Sequence, residues 1–179
     1  MHHFALTIIG RDRPGIVSQV TEILYQLGCN IADSSCSILG GQFSMILIIS
    51  HPEYQNQESF GDAFAPLESS NLSVFLRTLM PDGEKRSELE GELCMISVYG
   101  ADKPGIVYRV TKELGQRQIN ITDLNTKLIG GDARPVYVMM IEAVLLEGLE
   151  IEEVEGWMES LKAEMGVDIS VRSITAVEL

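Results

Sequence analysis

The sequence predicts an α+β protein made of two βαββαβ units, each an antiparallel sheet with its helices on one face. The strongest reason is an internal repeat. Gly10-Arg-Asp-Arg-Pro-Gly-Ile-Val17 returns as Gly100-Ala-Asp-Lys-Pro-Gly-Ile-Val107, a shift of 90 positions. The register continues without a gap through Val20, Thr21, Leu24, Gln26, Asn30, Ile31, Asp33, Gly40 and Gly41, which recur as Val110, Thr111, Leu114, Gln116, Asn120, Ile121, Asp123, Gly130 and Gly131. About half of this stretch is identical, and two units are too few for a solenoid, so the chain reads as a duplicated domain. The second reason is that runs of period two and stripes of period 3.6 follow in the same order in both halves.

Phe4 to Ile9 and Leu93 to Tyr99 are short β-prone runs, each ending at a glycine. A helix is expected next, with Pro14 and Pro104 in its first turn. Val17, Val20, Leu24 and Leu27 recur at helical spacing, as do Val107, Val110 and Leu114. Gly28 stops the first helix, and Gln118 offers the second a weaker stop. From Asn30 the period becomes two, with Ala32, Ser34, Cys36 and Ile38 on the inward face and Asp33, Ser35 and Ser37 on the other. Leu124, Thr126 and Leu128 opposite Asp123, Asn125 and Lys127 repeat that strand. Gly40-Gly41 and Gly130-Gly131 supply the positive-φ residues of a tight hairpin leading into Met45 to Ile49 and Tyr137 to Ile141.

A second helix is expected from Phe60, Phe64 and Leu67, with a longer counterpart in the stripe Ile151, Val154, Met158, Leu161 and Met165. Leu72, Val74 and Leu76, like Val167, Ile169 and Val171, alternate as a closing strand. This order implies a ferredoxin-like split βαβ sandwich, twice over. The expected division is a first domain at 1–80, a polar linker at 81–91 and a second domain at 92–179.

Hydrophobic residues make up 45% of the 179, enough for packed cores, while the formal net charge of −13 repels phosphates and anionic membrane surfaces. Neither direct nucleic-acid binding nor membrane association is expected. Cys29, Cys36 and Cys94 lack a CxxC pair and read as reduced thiols. The N-terminus has no basic flank or apolar run of a signal peptide, so a cytoplasmic location is expected. No GxSxG, P-loop or HExxH pattern is present, which argues against an enzyme and against a cofactor. His2, His3 and His51 lack metal-ligand spacing, and no metal site is expected. Cys36 reads as core, as do Trp157 and Met158, which also suit an interface. The acidic run Glu147, Glu150, Glu152, Glu153 and Glu155 reads as a solvated helix start.

Aspartate, one residue, Pro-Gly and two β-branched residues at the first strand-to-helix turn, followed by Asn-Ile at the next strand, resemble the ACT domain, an amino-acid-binding regulatory module. The resemblance covers both halves, and two such units in tandem are similar to the glycine-cleavage-system repressor group. The Asp-Arg-Pro-Gly-Ile-Val run also resembles the ACT segment of formyltetrahydrofolate deformylases. The two modules account for nearly all of the sequence, so a sensor is expected rather than that enzyme.

A free amino acid presents an ammonium and a carboxylate on one carbon. Asp12 can accept from the ammonium, and the backbone N–H groups of Gly15, Ile16 and Val17 at a helix start can bind the carboxylate. Pro14 brings no N–H, and Gly15 permits close approach. Asn30 can donate and accept at the same ligand. The candidate ligand-binding set is Asp12, Arg13, Pro14, Gly15, Ile16, Asn30 and Ile31, with Asp102, Lys103, Pro104, Gly105, Ile106, Asn120 and Ile121 in the second copy. In ACT proteins the turn and the strand start meet across a domain interface, which implies Asp12 facing Asn120 and Asp102 facing Asn30. Asp12 also fits a purely structural role bonding the N–H groups of its own turn, Asn30 one shaping the entry to its strand, and the glycines one of backbone necessity.

The resemblance further implies a homodimer and a protein partner such as a transcription regulator. A scaffold of the same fold that binds no ligand is the alternative. The copies are not identical: Asp132-Ala-Arg-Pro135 is inserted in the second hairpin, Arg11 becomes Ala101 and Gly28 becomes Gln118. Arg11 and Arg13 suit the first turn better to an anionic ligand.

Overall fold

A computed structural model describes residues 1–79, 91–130 and 135–174, and the chain divides into two compact units. The first unit runs β1 (His2–Arg11), α1 (Ile16–Gln26), β2 (Asn30–Leu39), β3 (Gln42–His51), a 3-10 turn (Gln57–Phe60), α2 (Ala65–Ser69) and β4 (Leu72–Leu79). The second runs β5 (Gly91–Gly100), α3 (Ile106–Gln116), β6 (Asn120–Ile129), β7 (Val136–Leu146), α4 (Ile151–Met165) and β8 (Asp168–Ser173). Each forms a four-stranded antiparallel sheet, in the order β2-β3-β1-β4 and β6-β7-β5-β8. The expected linker lies outside the described residues except for Gly91, which begins β5. Gly131 of the expected second hairpin and the inserted residues 132–134 also lie outside them, and Pro135 immediately precedes β7.

Burial follows the alternation of the strands. Phe4, Leu6 and Ile8 on β1 meet Met45, Leu47 and Ile49 on β3, and the helices cover that face with Ile16, Val20, Leu24 and Leu67. Cys94, Ile96 and Val98, Met139, Ile141 and Ala143, with Ile106, Val110, Leu114, Val154 and Met158, build the second core in the same way. Fully burying one such aliphatic side chain contributes roughly 1.5–3 kcal/mol. Gly40 and Gly41 have φ of 58° and 76°, as a two-residue hairpin loop with both central residues left-handed requires.

Four expectations need correction. Pro14 and Pro104 stand one residue before the N-caps Gly15 and Gly105, not in the first helical turn, because the left-handed glycine intervenes. The stripes on α1 and α3 accordingly begin at Ile16 and Ile106, each 2% exposed, while Val17 and Val107 face outward at 42% and 38%. The segment holding Phe60, Phe64 and Leu67 buries all three but is no single helix. Asn56 caps the 3-10 turn, Gly61 at φ 49° ends it, and a five-residue helix with Pro66 near its start follows. Finally, Cys36 is exposed. It is opposite buried Met45 and so has the inward orientation, but β2 is an edge strand and every one of its residues is exposed.

Candidate functional site

Each candidate turn is held by its backbone. Gly15 and Gly105 are N-caps at φ 92° and 96°, a region that costs other L-residues roughly 1–2 kcal/mol. The N-caps are glycines with no side chain to offer, and no hydrogen bond joins the Asp12 carboxylate to an N–H group of its turn. Asp12 N–H instead donates to Gly41 O at 2.9 Å, tying the turn to the hairpin glycines. The N–H groups of Ile16, Val17 and Ser18 have no acceptor within the helix and carry its positive end. Ile16 and Ile106 offer a ligand only their backbone, since their side chains are buried in the cores.

Arg13 and Lys103 brace the turns. Arg13 donates to Ser70 Oγ at 2.9 Å and Gln19 Oε1 at 2.8 Å, and Lys103 Nζ donates to Met165 O at 2.8 Å. Each therefore links its turn to the end of the unit's second helix, and Lys103 reaches a carbonyl at the negative helix terminus. A cleft of about 200 Å³ lined by Lys103, Pro104, Ile106, Arg109, Glu164 and Met165 adjoins the second turn.

Asn30 is placed elsewhere. It pairs with Ser50, which lies opposite His3, whereas Asp12 follows the far end of β1. The two residues are therefore about 25–30 Å apart along one sheet. Asn120 is placed similarly, opposite Val144, which in turn pairs with Leu93. A β-bulge between Ile31 and Asp33, repeated between Ile121 and Asp123, brings Ile31 opposite core residue Ile49. Within one unit, then, the structure gathers Asp12, Arg13, Pro14, Gly15 and Ile16, and equally Asp102 to Ile106, but it does not bring Asn30 or Asn120 to the same place.

Tyr137 is a neighbour of the second turn that sequence reasoning missed. Burial pushes its phenol up, a hydrogen bond with Thr126 opposes the rise, and the charge of Asp102 adds to it. The signal was available in the repeat: Tyr137 pairs with Gly100 as Phe43 pairs with Gly10, once the hairpin insertion is allowed for. The turns thus differ, with a phenol near Asp102 where the first copy has phenylalanine. Among the described residues, no cluster of three or more His, Cys, Asp or Glu is placed to hold a metal ion, and no helix is long and apolar enough to cross a membrane.

The duplicated sandwich and its duplicated strand-to-helix turn define a tandem protein of ferredoxin-like modules. The family model of the ACT domain matches residues 2–73 and 92–172, and the chain belongs to the ACT domain family. It is 28% identical over 123 residues to the glycine cleavage system transcriptional repressor of Escherichia coli, a match covering 69% of this chain and 63% of that protein. The match thus spans somewhat less than two thirds of the relative's length. A UPF0237 protein of Methanosarcina mazei is 32% identical over 81 residues, 45% of this chain and 73% of that one. The fold is shared over 97% of this chain and 99% of the other with a crystal structure of an unknown protein from Galdieria sulphuraria, at TM-score 0.79 and 26% identity. A structure assigned to a glycine cleavage system transcriptional repressor shares the fold over 98% of both chains, at TM-score 0.68 and 24% identity.

Proposed function

We propose that this chain is a non-enzymatic regulatory protein that binds an amino acid between ACT modules and thereby modulates a protein partner. The E. coli relative points to glycine-cleavage-type transcriptional control as the setting, with a transcription regulator as partner in the cytoplasm. The observation that carries the reading is the recurring turn: a carboxylate that bonds none of the turn's N–H groups stands beside the N–H groups of an uncapped helix start, once at Asp12 and again at Asp102. That pair of charges suits an ammonium and a carboxylate on one carbon.

The separation of Asp12 from Asn30 supports a site shared by two modules. Antiparallel pairing of two bare edge strands of the β2 or β6 kind would bring the strand start of one module to the turn end of the other, joining Asp12 with Asn120 and Asp102 with Asn30. The modules would come from one chain or from a homodimer. Ligand couples to a partner only through different affinity for two states of that pairing.

A thermal-shift screen of the twenty amino acids tests the reading, because a ligand at 100 times its Kd adds about 2.7 kcal/mol. At least one amino acid is expected to raise the melting temperature, and Asp12→Ala and Asp102→Ala each to remove part of that rise while leaving the ligand-free protein folded. The exposed edges β2 and β6 favour a second reading, a scaffold that pairs without ligand. No shift with any amino acid would support it.

A further inference from the structure

The sheet of the first unit has two faces, and its helices cover only the one that holds Phe4, Leu6 and Ile8. The alternate residues build the other. Strand pairing lays them out in rows that run across β2, β3, β1 and β4. One row is Asp33, Ile48, Ala5 and Arg77, the next is Ser35, Ile46, Thr7 and Phe75, and the third is Ser37, Ser44, Ile9 and Ser73. Phe75, Ile46 and Ile9 are 60%, 51% and 42% exposed there. In a chain of net charge −13, these rows hold one carboxylate and one guanidinium, which cancel. A neutral patch is where two copies of so acidic a chain can meet without adding like charge to like.

The order of residues within the rows selects the partner. A two-fold axis parallel to the strands, midway between β3 and β1, sets each row against the same row of a second copy with its order reversed. Asp33 of one copy then faces Arg77 of the other, at both edges of the contact. The same operation sets Ile48 on Ala5, Phe75 on Ser35, Ile46 on Thr7 and Ile9 on Ser44, so each large side chain meets a small one and the faces interdigitate. Packed sheets stand about 10 Å apart with strands aligned to within about 30°, a gap that a long arginine and a short aspartate span together. A two-fold axis along the rows would instead stack β2 on β2 and β4 on β4 and keep Asp33 from Arg77. The first arrangement is isologous and closes as a dimer.

The second unit keeps the ends of the charged row and not its middle. Asp123 and Arg172 occupy the places of Asp33 and Arg77, but Glu142 stands where the first unit has Ile48. The same operation would set that carboxylate against Met95, away from water and without a cation opposite.

We propose that the helix-free sheet face of the first unit is a docking surface for the same face of a second copy of this chain, closed at its two edges by ion pairs between Asp33 and Arg77. The contact uses the sheet face and not the β2 edge, and it holds whether or not the protein binds an amino acid.

Sedimentation equilibrium of the full chain, from micromolar to near-millimolar concentration, is expected to show a species of twice 19.8 kDa. Arg77→Glu sets carboxylate against carboxylate and is expected to leave a folded monomer, as is Asp33→Arg with the opposite sign. Asp33→Arg combined with Arg77→Glu exchanges the charges and is expected to restore the dimer. Arg172→Glu, on the second unit, is expected to leave it intact. Phe75 and Ser35 are three strand spacings apart in one sheet, about 14 Å, too far for a proton–proton NOE. An NOE between them is therefore expected only from two paired copies, in the native chain and not in Arg77→Glu.

The proposal is overturned by a monomer at every concentration, by a dimer that Arg77→Glu leaves intact, by exchanged charges that fail to restore what the single changes abolish, or by a native dimer without the Phe75–Ser35 NOE. A dimer that survives Arg77→Glu and lacks that NOE is the result expected of edge pairing through β2. It refutes the face contact and leaves the amino-acid reading untouched.

Discussion

Cys94, Cys36 and Cys29 are equivalent in composition and separated by environment. Cys94 is fully buried on β5, where burial and the charge of Glu92 push its thiol up against the lowering effect of a backbone hydrogen bond at Ala143. Burial pushes Cys29 up as well, from a partly buried position after α1. Cys36 stands on an edge strand in solvent. A chromogenic disulfide reagent added to the native protein is therefore expected to modify Cys36 first, Cys29 slowly and Cys94 only on unfolding; early modification of Cys94 would contradict its burial. The inward face of Cys36 was legible from alternation, and its register opposite Met45 bears that out. Its burial was not legible, because alternation says which way a side chain points and nothing about whether a helix reaches far enough to cover it.

Among elements, the two copies end their first helices with the same hydrogen bonds and different residues. After α1, Gly28 N–H donates to Tyr25 O and Cys29 N–H to Leu24 O. After α3, Gln118 N–H donates to Gly115 O and Ile119 N–H to Leu114 O. This closure requires a left-handed residue, and Gly28 at φ 73° adopts it without a Cβ conflict, whereas Gln118 adopts it at φ 59°. Gln118→Gly is expected to stabilise the protein by about 1 kcal/mol, read as a higher urea midpoint with an unchanged slope. The stop itself was readable at both positions, and its weakness at Gln118 follows from residue type. The broken segment around Phe60 was less readable. Its three apolar residues have helical spacing, but the cap at Asn56, Gly61 and Pro66 divide the backbone while tertiary packing still buries all three side chains.

For the molecule as a whole, burial acts in one direction on three groups, one fully and two partly buried. Cys29, Cys94 and Tyr137 hold their protons more tightly in the folded state than in the unfolded chain. Their contribution is fully present below their unfolded values and is lost as pH rises through the folded ones. Stability to urea is expected to decline above about pH 9, and Cys94→Ala to soften that decline relative to native protein at the same pH. A flat profile between pH 8 and 10.5 would count against the burial of these groups. The duplication, the order of strands and helices, the Gly40-Gly41 hairpin and the turns at Asp12 and Asp102 were determined by the amino-acid sequence alone. Each depends on neighbours a few residues apart, where φ preference and hydrophobic period act directly. Only the tertiary structure decided that Asp12 and Asn30 stand at opposite ends of one sheet, that β2 is exposed along its length and that Tyr137 neighbours Asp102. These follow from strand order and register, which join residues far apart in the chain and leave no local periodic signal.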